Sequence, residues 1–114
     1  MRSRFDEQLA LLNRELIEMG ARCEEVIALA AKSMADGDVR LAKQVAPLDA
    51  EIDQKERDIE SLCLKLLLQQ QPVAKDLREI SSALKMISDL ERISDQAADI
   101  AELTRFVNIA KEQQ

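Results

Sequence analysis

Two pairs of carboxylates stand four residues apart in this chain, Asp49 with Asp53 and Glu91 with Asp95. Four residues is about one helical turn, so each pair projects from one face of a helix. Two such faces on adjacent helices would gather four negative charges. Repulsion at that density either raises the carboxyl pKa values or recruits a cation. An all-oxygen ligand set suits hard ions such as Mg²⁺, Ca²⁺, Mn²⁺ or iron. Glu56 and Asp99 lie a further turn along each helix and would extend the set. The plainer alternative is that all of these are solvated acids, paired by Arg57, Lys85 and Arg92.

Glu91 has an unusual setting. On an ideal helical wheel Leu77, Ile80, Leu84 and Ile87 lie within about 40° of it. The same direction then carries Asp95 and Glu102. A carboxylate placed where a core residue is expected needs a partner, because burying it unpaired is costly. That partner is a basic side chain, a metal ion or another protein.

Other chemistries are poorly supplied. The 114 residues include no histidine, which removes Ser/His/Asp and Cys/His nucleophile sets and the Glu-x-x-His ligands of di-iron bundles. Gly20 and Gly37 are the only glycines, so there is no phosphate-cradling loop. No catalytic step is expected. The net charge of −6 and the lack of a basic stripe with stacking aromatics argue against a nucleic-acid partner. No apolar run approaches the ~18 residues of a membrane span. The N-terminus carries Arg2, Arg4, Asp6 and Glu7 rather than an apolar stretch, so neither a secretory leader nor membrane insertion is expected. Cys23 and Cys63 sit in apolar helical settings and read as buried thiols of a reducing compartment.

Three helices must position these acids, and the expected fold class is all-α. The first covers roughly residues 3–35, with Phe5, Leu9, Leu12, Leu16, Met19, Cys23, Val26, Ala30 and Ser33 in alternating steps of four and three. Gly20 inside it suggests a close helix approach. Asp36-Gly37-Asp38 supplies a stop and the cap of the next helix. The second helix covers roughly 39–70, with a stripe of Leu41, Val45, Leu48, Ile52, Ile59, Leu62 and Leu66. Pro47 is expected to kink or restart it. The third covers roughly 72–111, opening at Pro72 with Asp76 in its first turn. Its second half presents Leu90, Ile93, Ala97, Ile100, Leu103 and Val107 on another side. Short connections make neighbours antiparallel, which predicts one up-down-up three-helix domain over 1–114.

The run from Gln70 to Arg78, then Leu84-Lys85, the run from Asp89 to Asp95, and Ile100-Ala101-Glu102 strongly resemble the PhoU family. Phe5, Leu9, Met19-Gly20, Asp38, Ala42, Val45, Asp49, Ile52-Asp53 and Ile59 fit the same pattern. The resemblance covers the whole chain. It implies a cytoplasmic all-helical negative regulator of phosphate uptake and phosphate-starvation signalling, peripheral to the inner membrane through its partners. Those implied partners are the ATPase of a phosphate ABC transporter and a sensor histidine kinase. It also implies metal binding through acid-x-x-x-acid motifs, carried here by Asp49, Asp53, Glu91 and Asp95; the ion would be iron, zinc, manganese, magnesium or calcium. The chain departs from the pattern at Ser94, where the family has Gly, at Gln96, often His, at Asp99, usually Asn, and at Pro47. It resembles the N-terminal one of the family's two three-helix repeats. A homodimer, formed through the second apolar face of the third helix, would supply the missing neighbour. Two further readings stay open: a carboxylate-rich metal-binding bundle without a phosphate role, and a structural helical module whose acids are only solvated.

Overall fold

Heptad spacing on three segments sets the architecture. A computed structural model describes residues 2–69 and 72–112, in which α1 spans Arg2–Asp36, α2 Val39–Leu68 and α3 Ala74–Glu112. The three run up-down-up, each packed on both others, as a rod of 66 × 17 × 16 Å. No strand occurs among the described residues.

The expected α1 seam forms the core. Phe5, Leu12, Met19, Cys23, Val26, Ala30 and Ser33 are buried, with Leu9 and Leu16 packed against them. From α2 come Ala42, Val45, Ile52, Ile59, Cys63 and Leu66; Leu48 and Leu62 flank them. Both cysteines are buried and free, and burial pushes both thiols up in pKa.

On α3 the seam differs from the ideal wheel. Ile80, Ala83, Ile87, Ser94, Ala97, Ala101 and Thr104 are buried, whereas Leu77 is 44% exposed. A 3.5-residue repeat drifts about 20° per heptad from a straight 3.6-residue helix. Following the packed seam rather than the straight wheel, the core direction passes to Ser94 and Ala97. Glu91 and Asp95 therefore sit half-buried on its flank, not in the core direction. The second apolar face divides: Ala97 is buried and Leu90 packs on the core, while Ile93, Ile100, Leu103 and Val107 stay substantially exposed.

The α1–α2 corner is built as the sequence suggests. Gly37 takes φ +63°, and the Asp38 N–H donates to Ser33 O at 2.9 Å, closing a glycine C-cap. The Asp38 carboxylate then accepts from the N–H groups of Arg40 and Leu41 as the cap of α2. Pro47 neither stops nor restarts α2, which runs unbroken from Val39 to Leu68. At the other corner α2 ends earlier than residue 70, and Gln69 closes it by donating to Lys65 O. Gln70 and Gln71, part of the expected turn, lie outside the described residues. Pro72 precedes α3 rather than joining its first turn. Asp76 accepts from the Val73 N–H at 3.1 Å, the acidic half of a capping box. Gly20 does not mark a close approach within this fold, because a Cβ there would meet nothing within 4 Å.

Candidate metal site on the α2–α3 flank

Asp49 and Asp53 project from consecutive turns of α2 toward α3, where Asp95 meets them. One carboxylate oxygen from each of the three lies within 4.8 Å of the others. Two cross-helix contacts set this register. Ser94, fully buried in the α3 seam, donates its Oγ–H to Asp49 Oδ1 at 2.6 Å. Asp95 lies within hydrogen-bonding reach of both Asp49 and Glu91. A contact between two carboxyl groups needs a shared proton or a cation between them.

The electrostatics agree with the crowding. Burial raises Asp49, and the neighbouring Asp95 and Asp99 add to the rise, while the Ser94 hydroxyl opposes it. Asp53 is raised by burial and by the charge of Asp49, against a smaller pull from Arg57. Asp95 is raised chiefly by its hydrogen bond to Glu91, then by burial. Glu56 is raised by burial and by the charges of Glu60, Asp53 and Asp95. Among the described residues no ion pair joins Asp49, Asp53 or Asp95 to a basic group. Lys85 and Arg92 both pair with Asp89 instead, and Arg57 hydrogen-bonds Gln54. The solvated-acid alternative relied on those three cations, and the structure directs none of them into an ion pair with the triad.

Asp53 Oδ1 is buried without any hydrogen-bond partner. A carboxyl group with an orphaned oxygen, set among two other acids, fits a hard cation, since a bound ion would offer it a partner and relieve the repulsion together. Of the six acids expected from sequence, Asp49, Asp53 and Asp95 converge. Glu91 touches Asp95 from the same helix without entering the triad, and Glu56 and Asp99 stand at its two ends. Ser94 carries a role that spacing alone missed. Its signal was a small hydroxyl residue on an apolar heptad column.

Residues 16–104, which contain every one of these acids, match the family model for the PhoU domain. The chain belongs to the PhoU family. Relatives of this PhoU chain include the phosphate-specific transport system accessory protein PhoU homolog of Pseudomonas aeruginosa, 39% identical over 97 residues. That alignment spans 85% of this chain and 40% of the relative. The homolog of Synechocystis is 36% identical over 109 residues, covering 92% of this chain and 49% of its own. The Aquifex aeolicus homolog is 37% identical over 106 residues, 93% and 47% respectively. This PhoU chain thus spans about half or less of the length of these relatives. No described helix is long and apolar enough to cross a membrane.

Proposed function

We propose that this chain is a regulatory module of phosphate transport that restrains uptake and phosphate-starvation signalling by docking on other proteins. Its partners are the ATPase of a phosphate ABC transporter and a sensor histidine kinase, met at the cytoplasmic side of the membrane. The observation that carries this reading is the PhoU match over residues 16–104, with relatives named as accessory proteins of phosphate-specific transport. The site holds acids without histidine, phosphate loop or basic anion pocket, which supports a binding role without a catalytic step. Asp49, Asp53 and Asp95 would hold a divalent or ferric ion, with Glu91, Glu56 and Asp99 at its margin. Such an ion would neutralise the flank and fix α2 against α3. Self-association of two copies belongs to the same reading.

Affinity capture of the tagged chain from lysate of its own source, grown in high phosphate, tests it. The transporter ATPase or the sensor kinase should co-purify, and recovery of neither from a folded bait would overturn the docking role. The buried, partnerless Asp53 oxygen favours one alternative, a metal-binding bundle with no phosphate role. Glu91→Gln with Asp95→Asn separates the two: loss of metal with partner capture intact would favour that alternative.

A further inference from the structure

Among the described residues the buried hydroxyl side chains are Ser33, Ser94 and Thr104. A hydroxyl inside a helix ordinarily donates back to its own helix, to a carbonyl three or four residues earlier. Ser33 does so, to Ala30 O at 2.8 Å. Thr104 does so, to Ile100 O at 3.3 Å. Ser94 instead reaches across to α2 and donates to Asp49 Oδ1 at 2.6 Å.

Its place in the seam makes that choice costly. Ile80, Ile87, Ser94 and Ala101 follow one another in heptad steps along α3, and all four are buried. Where the column has isoleucine at its first two positions, Ser94 gives up most of that apolar burial. The next residue is Asp95, so adjacent residues carry the hydroxyl that takes Asp49 and a carboxylate that Asp49 must meet. Among the described residues Ser94 is the one donor, other than a carboxyl group, that reaches the triad.

Three like charges brought together turn away from one another unless they are held. A free carboxylate does so by rotating about its two side-chain bonds. A hydroxyl fixed in the core removes that freedom from Asp49 on folding, so the entropy cost of ordering it does not fall on ion binding. A basic side chain would hold Asp49 as firmly, but it would cancel a charge that the ion is to balance. Lys85 and Arg92 pair with Asp89 instead, and the neutral Ser94 leaves the charge of the triad intact.

We propose that Ser94 is the positioning residue of this site: its hydroxyl holds the Asp49 carboxylate beside Asp53 and Asp95, and so sets the affinity of the triad for a hard divalent cation. The proposal rests on the reading of the triad as an ion site given above. Ser94 acts through Asp49, while the three acids supply the charge.

Mn²⁺ is the probe, because it suits an all-oxygen set and its free fraction is counted by EPR. The 114-residue chain, stripped with chelator, is titrated beside Ser94→Ala, Ser94→Cys and Ser33→Ala. Loss of an outer partner that orients a ligating carboxylate typically costs about 10–100-fold in metal affinity, and Ser94→Ala should raise the Mn²⁺ Kd by that factor. Ser94→Cys keeps nearly the same shape with a weaker donor and should fall between. Ser33→Ala removes an equally buried hydroxyl whose bond stays within α1, and should leave the Kd unchanged whatever it does to the Tm. Melts in chelator accompany each titration, so that a variant unfolded at the titration temperature is recognised. A folded Ser94→Ala chain that binds Mn²⁺ as tightly as the parent overturns the positioning role and leaves the triad standing as an ion site. If Ser94→Ala does not fold, an undiminished affinity in Ser94→Cys overturns it in the same way. Equal weakening by Ser33→Ala also overturns it, since any loss of a core hydroxyl would then serve. A parent chain that binds no Mn²⁺ overturns the proposal and the ion site together.

Discussion

Asp49 shows how one side chain can be held between two demands. Ser94 stabilises its ionised form while burial and Asp95 oppose it. The balance predicts a pH dependence of stability. Asp49, Asp53, Glu56 and Asp95 all titrate above their ordinary values in the folded chain. The folded state therefore holds these protons more tightly than the unfolded chain does. Their contribution is fully present below the ordinary carboxylate range and is lost as pH rises through the raised values. With chelator present, the Tm should climb as pH falls through these raised carboxyl values toward the ordinary carboxylate range. Asp49→Asn with Asp95→Asn should flatten that slope. Glu18, lowered by its hydrogen bond and charge interaction with Lys55, works the other way and bounds the gain at lower pH. A thermal-melt series across pH checks the sign, and a Tm that falls throughout this window would refute it.

At the scale of the helix, Pro47 is the largest local conflict. It sits well inside α2 and is exposed, where its ring removes one backbone hydrogen bond and crowds the preceding turn. The helix continues because Val45 and Ile52 on either side are anchored in the core. Pro47→Ala should therefore stabilise the chain, by about 1–3 kcal/mol, read as a higher denaturation midpoint in urea. Such tertiary override is also where sequence reading reached its limit. The α1 seam was legible because every position in it but Ser33 is apolar, most of them large. The α3 seam was less so, since Ser94, Ala97, Ala101 and Thr104 carry little hydropathy and the wheel favoured Leu77 and Glu91. The acid pairs were legible as spacings within one helix. Which of them converge, and that Ser94 would tether Asp49, depends on the register between α2 and α3, which no spacing within one helix contains.

For the molecule as a whole, the acidic triad makes stability conditional on its surroundings. An ion that binds the folded chain alone stabilises it by mass action, about 2.7 kcal/mol at a hundredfold excess over Kd. For a domain of this size that is a rise of roughly 10 °C in Tm. Addition of Mn²⁺, Fe³⁺, Zn²⁺, Ca²⁺ or Mg²⁺ to chelator-treated protein should produce such a rise with at least one ion. Asp53→Asn should abolish it. Melting curves unmoved by all five would remove the metal from the account.

The rod's narrow section has a consequence of its own. With a breadth of 17 Å, the core is a stack of thin layers, to which each helix gives about one side chain. Each layer leans chiefly on the layers above and below, so order is passed along the axis as along a row of coins. Fraying should start at the two ends, and amide exchange should be slowest near Met19 and Ile52. The triad of Asp49, Asp53 and Asp95 flanks that same middle stretch. A cation arriving or leaving there would act on the segment on which both halves of the stack depend, and so change the stiffness of the rod as a whole.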